Sequence, residues 1–252
     1  MNLAVGSDSA LAFGLLFARA GGVMLALPKL LGVAIPVKVR VALAMLLAAA
    51  LMPMASIGMP AAGGLLAIAI LVIRELGIGA MLSFAAAVVV GAVMTAADVI
   101  GGSMELNTGG ILRGDVQAPN ALADGLGALT GLLFFVGGFH RALLMALGRS
   151  LAVAPLGVVA LPDPRSMIAL GGRMFALALE LGLPVIVPLF VLSLAQGVVA
   201  RLAPQVNILM AAPAAMILAG LVLLGLDALG FGNGIMRAWS TVMSQGMGWI
   251  GG

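Results

Sequence analysis

The chain carries very little charge, and much of it lies where charge is hardest to keep. Twelve lysines and arginines and nine aspartates and glutamates are all that 252 residues hold. Several of them interrupt apolar runs long enough to cross a bilayer. An ionised side chain in hydrocarbon costs several kcal/mol unless it faces a protein partner or water. Arg19, Arg74, Glu75, Asp98, Glu105 and Glu180 therefore each require such a neighbour. A chain built this way must pack its polar groups against other helices or around an aqueous path.

Hydrophobic residues make up 63% of the sequence and the mean hydropathy is +1.26. A soluble domain is roughly half apolar and about a quarter charged. Crossing roughly 30 Å of hydrocarbon takes about 20 helical residues, and six stretches qualify: approximately 10–31, 37–57, 64–93, 121–148, 167–200 and 208–231. Strand-like alternation with a period of two is absent, which disfavours a membrane β-barrel. The expected fold is an all-α integral membrane protein of about six long hydrophobic helices, with residues 1–252 as a single membrane-embedded domain. The net charge of +3 is spread along the chain and forms no cluster suited to a phosphate backbone, so nucleic acid is not an expected partner. With no cysteine and one histidine, disulfides, thiolate chemistry and multi-histidine metal sites are excluded. No cofactor is expected.

The longest polar interval lies between the third and fourth stretches, where Gly101, Gly102, Gly109, Gly110 and Gly114 surround Ser103, Glu105, Asn107, Arg113, Asp115 and Gln117. Glycine permits backbone conformations closed to other residues, while Met104, Ile111 and Leu112 give the interval something to bury. Two readings stand: a re-entrant loop lining a cavity, where irregular backbone at membrane depth is satisfied by protein or water, or a connection at the surface. Pro184 and Pro188 interrupt the fifth stretch, each removing an amide and crowding the preceding turn, which predicts a kink or break there, although prolines in membrane helices are also ordinary packing features. Arg74 and Glu75 are adjacent, about 100° apart on a helix, so they are expected to reach separate partners. His140 has no nucleophile motif beside it, and no HExxH, paired membrane aspartates or GxxxxGK[ST] occur. The chain does not read as an enzyme, and His140 reads as a packing or hydrogen-bonding group.

Gly197, Arg201, Pro204, Gln205 and Asn207 form G-x3-R-x2-PQ-x-N directly after a span. This resembles the signature of the FliR family of flagellar and virulence-associated type III secretion export proteins. Arg19, Pro28, Pro36 and Arg40 are similar to the family's N-terminal R-x-G, P and P-x2-x-R elements. Glu75 with Gly79 resembles its E-x-x-x-G segment, and His140, Ser150 and Pro155 resemble its GH, S and P pattern, with Phe139 in place of the usual glycine or asparagine context. The resemblance runs from about Arg19 to Pro213.

The resemblance implies a structural subunit of a flagellar protein-export gate in the bacterial inner membrane, within the basal body. FliP-like and FliQ-like subunits would assemble with it into a helical channel, together with FlhB-like and FlhA-like components, and unfolded flagellar proteins would pass through. Some of its helices would form hairpins instead of crossing a flat bilayer. The interval 101–119 would correspond to the family's channel-closing loop, with Met104, Glu105, Gly109, Gly110, Ile111 and Leu112 as the plug, although the phenylalanines often found there are missing. Arg19, Arg40, Arg74, Glu75, His140, Arg201, Gln205 and Asn207 would be structural or inter-subunit polar contacts. The equivalent injectisome subunit is an alternative, as is a small-solute transporter centred on Glu180, Pro184 and Pro188.

Overall fold

The computed structural model describes residues 3–31, 35–55, 64–106, 120–157, 164–202 and 208–245. Gly109, Gly110, Ile111, Leu112, Gln205 and Asn207 lie outside these residues. The described chain is all-α. In order come α1 (Leu3–Leu31), α2 (Val37–Leu51) extended by a 3-10 turn (Met52–Met54), α3 (Leu65–Ser103), α4 (Ala121–Val136), α5 (Phe139–Val153), α6 (Pro164–Leu202) and α7 (Ile208–Gln245). Leu, Ala and Met dominate these segments and form helices well, while hydrocarbon leaves an apolar backbone no other way to satisfy its own amides.

Four of these helices are long and apolar enough to cross a membrane: α2 with its 3-10 turn, α3, α6 and α7. A fifth span results if α4 and α5 count as one. The first expected span is represented by a shorter apolar stretch, Ser9–Leu25. At 39 residues, α3 and α6 are each about 58 Å long at 1.5 Å per residue, nearly twice a hydrocarbon layer of roughly 30 Å.

Two interruptions differ from expectation. Helix α6 runs through Pro184 and Pro188 without a break. Both prolines sit on its exposed side. The fourth stretch breaks instead at Gly137 and Gly138, and Gly138 adopts φ 72 between α4 and α5. Such left-handed backbone favours glycine.

The chain divides into two compact units. The first holds residues 1–88, 134–171 and 239–252, and the second holds 89–133 and 172–238. Of the four long apolar helices α3 is the most buried: 67% of its most apolar window is buried, against 17% for α2 and for α7. In the first unit α1 lies directly on α3. A Cβ added at Gly22 would overlap the Leu76 carbonyl, and one at Gly79 would overlap the Arg19 carbonyl. Only glycine allows that approach, a device common between membrane helices. The Ser83 hydroxyl, one turn beyond Gly79, donates to the Gly22 carbonyl at 3.2 Å. In the second unit Ile100, Met104, Val185, Leu189 and Met216 form an apolar core.

Candidate functional site

Glu75, Gly79 and Ser83 lie four residues apart along one ridge of α3. Because Gly79 brings the α1 backbone into contact at Arg19, the Arg19 guanidinium meets the Glu75 carboxylate one turn away. Arg19 Nε donates to Glu75 Oε2 at 2.5 Å, and Nη2 lies 2.5 Å from the same oxygen as an ion pair. Arg74 Nη1 donates to the other oxygen, Oε1, at 2.6 Å. All three residues are buried, Arg19 and Glu75 completely. The expectation that neighbouring Arg74 and Glu75 reach separate partners is therefore corrected. Their Cβ atoms do diverge, but the long arginine side chain curls back to a carboxylate that Arg19 holds in place from the other side.

Two guanidiniums and one carboxylate leave one positive charge in excess. The C-terminal end of α5 absorbs it. Arg19 Nη2 donates to the Ala154 carbonyl at 2.8 Å and Arg74 Nη1 to the Pro155 carbonyl at 3.2 Å, where the terminal carbonyls of a helix carry partial negative charge. Arg19 Nη1 donates to Ser150 Oγ at 3.0 Å, and that hydroxyl in turn donates a hydrogen bond to the Leu147 carbonyl at 2.7 Å. Charge-assisted bonds of this kind are about twice as strong as neutral ones. The cluster thus ties α1, α3 and α5 at a single point, and each charged group has a partner.

At the opposite end of α5, five rings pack around the Gly138 turn. Trp239 lies against Phe134 at 4.9 Å and stacks on Phe139 at 5.6 Å, while His140 packs on Phe135 at 5.4 Å. His140 Nδ1 and Trp239 Nε1 are buried and make no hydrogen bond among the described residues. Arg40 lies on α2 in a groove of about 300 Å³ beside Phe17 and Met24, its Nε likewise without a hydrogen bond among the described residues. Neither Arg40 nor His140 joins the ionic cluster. Arg201 is exposed in the last turn of α6.

In the second unit, α3 ends immediately before the glycine-rich interval. The Leu106 amide donates to the Gly101 carbonyl and the Glu105 amide to the Gly102 carbonyl, both at 3.0 Å, and Glu105 has φ 59. These are the bonds of a Schellman stop, with glutamate at the left-handed position where glycine is usual. Met104 is fully buried and belongs to the apolar core, in contact with Gly220. It anchors the end of α3, which differs from the expectation of a loop residue that seals by apolar contact.

Asn120 closes the far end of the same interval. It caps α4 by accepting the Leu122 amide at 3.1 Å, while its Nδ2 donates to the Ala97 carbonyl at 3.2 Å and to Asp98 Oδ1 at 3.1 Å. It also packs on Gly101, where a Cβ would lie 2.6 Å from the amide nitrogen. The two ends of the 107–119 segment are therefore pinned side by side. Sequence reading missed Asn120 and the partner role of Ser150. Asparagine directly before an apolar run, with Asp124 in the first turn, is a helix-start signal that would have found the cap.

The sequence of residues 10–242 matches the family of bacterial export proteins, family 1. It is also similar to the flagellar biosynthetic protein FliR of Caulobacter vibrioides, 27% identical over 231 residues that cover 90% of each chain. With the all-α membrane fold around this buried ionic cluster, and a family match over nearly the whole length, the chain belongs to family 1 of the bacterial export proteins.

Proposed function

We propose that this protein is a structural subunit of the flagellar type III export gate, lining part of the route by which unfolded flagellar proteins cross the inner membrane. The observation that carries this reading is the similarity to a FliR over 90% of both chains. FliP-like and FliQ-like subunits cover the apolar faces of α2, α6 and α7, and FlhB-like and FlhA-like components act beside them. The protein works by packing and gating, without catalysis. Arg40, His140 and Arg201, with Gln205 and Asn207, contribute polar contacts to neighbouring subunits.

The 101–119 interval closes the channel. What supports this is its anchoring: Met104 buried at one end and Asn120 capped at the other leave the glycines at 109, 110 and 114 to let the intervening chain swing. Ile111 and Leu112 form the apolar seal. In a strain lacking this chain, export of filament protein stops and returns with a plasmid copy. Deleting residues 107–114 makes the membrane leak small ions. Undiminished export without the chain would overturn the proposal, and an ion-tight deletion variant would overturn the role of the loop.

A further inference from the structure

Helix α6 exposes one ridge with an unusual chemistry. Gly172, Ala176, Glu180, Pro184 and Pro188 follow one another at intervals of four, and all five are exposed. Neither proline has an amide. The carbonyls of Glu180 and Pro184 therefore lose the donor that an α-helix would place four residues on. The Glu180 carboxylate has no hydrogen bond or ion pair among the described residues. Three acceptors and no donor thus sit together on one side of a helix, in the second unit.

Glu180 sits inside the apolar stretch of α6, away from both of its ends. Glu180 lies about 18 Å along the apolar span from Ile168 and about 33 Å from Leu202 at 1.5 Å per residue, farther than a glutamate side chain reaches. Its flanks do not resemble an aqueous wall: Phe175 is 61% exposed and Leu179 58%. Within an apolar setting, an unpaired carboxylate and two orphan carbonyls are costly. Ala176 and Gly172, one and two turns before the glutamate, let another backbone come close. Arg173 has a partner elsewhere.

We propose that the Glu180–Pro184–Pro188 ridge of α6 docks a membrane helix of a neighbouring subunit that brings a lysine or arginine to the depth of Glu180. Such a cation has donors for the carboxylate and for the freed carbonyls together. The proposal rests on the export-gate reading for the presence of neighbouring subunits, and it adds which face meets them and by what chemistry.

The test places a photo-crosslinking phenylalanine analogue at Ala176 and, separately, at Leu183 in the full chain in its native membrane. The native mass of the purified particle is measured in parallel. Both positions should give an adduct to the same subunit, and the crosslinked peptide should lie in a membrane helix with a lysine or arginine within one turn. Glu180→Lys should abolish the adduct and Glu180→Gln weaken it, with the amount of chain in the membrane unchanged. An intact particle with no protein adduct from either position would overturn the ridge while leaving the export-gate reading standing. So would an adduct peptide without a cation, or an adduct undiminished by Glu180→Lys. A lone protomer without adducts would overturn both.

Discussion

Glu75→Ala removes the one anion from a buried site that holds two arginines. Glu75 Oε2 accepts from Arg19 Nε and pairs with its Nη2, each at 2.5 Å, and Oε1 accepts from Arg74 at 2.6 Å. Without them Arg19 keeps Ser150 and the Ala154 carbonyl, and Arg74 keeps the Pro155 carbonyl. Two like charges then remain 0% and 2% exposed with no counter-ion. Breaking a buried pair from one side costs about 3–5 kcal/mol, against a total stability of about 5–15 kcal/mol. The variant is expected to lose about a fifth or more of its stability. Unfolding by SDS titration in mild detergent, followed by tryptophan fluorescence, measures this, because Trp239 is fully buried in the same unit as the cluster. The double variant Glu75→Gln with Arg74→Met removes a cation as well as the anion and should recover about 1 kcal/mol or more, a coupling typical of residues in one network. If Glu75→Ala unfolds within about 0.5 kcal/mol of the parent, the range of ordinary surface changes, the cluster does not hold the three helices together.

Further tests follow from the same geometry. Gly22→Ala should cost about 1–3 kcal/mol by forcing α1 off α3, whereas Gly21→Ala, with open space around it, should be neutral or stabilising by up to about 1 kcal/mol; thermal midpoints in detergent compare the pair. Glu105→Gly should raise stability by about 1 kcal/mol by relieving the left-handed residue of the Schellman stop, which the same titration reads. Asn120→Ala should cost about 0.5–2 kcal/mol as a lost cap and speed hydrogen exchange in the first turn of α4, leaving exchange in α5 unchanged.

Much of this was legible because hydrocarbon punishes exceptions. Scarce charges inside apolar runs announced a helical membrane protein and announced that Arg19, Arg74 and Glu75 need company. Adjacency on a helical wheel, however, describes Cβ directions and not the reach of a guanidinium, so the Arg74–Glu75 bond escaped notice. Proline marked α6 for a kink or break, yet the helix runs on through both prolines, while two glycines in sequence break α4 from α5. Ser150 was visible only as a motif position. Its bond to Arg19 spans 131 residues, a separation at which local pattern carries no information about contact. Met104 looked like loop because it follows two glycines and a serine, and its burial in the second unit depends on α6 and α7.

The central claim, that this chain is one subunit of an export gate, is tested most directly by purifying the tagged protein from its native membrane in mild detergent. Mass spectrometry then identifies the co-purifying chains, and native mass fixes the size of the particle. The account predicts one large, stable particle that contains FliP-like and FliQ-like subunits. A stable lone monomer or dimer, with neither subunit present, would contradict it.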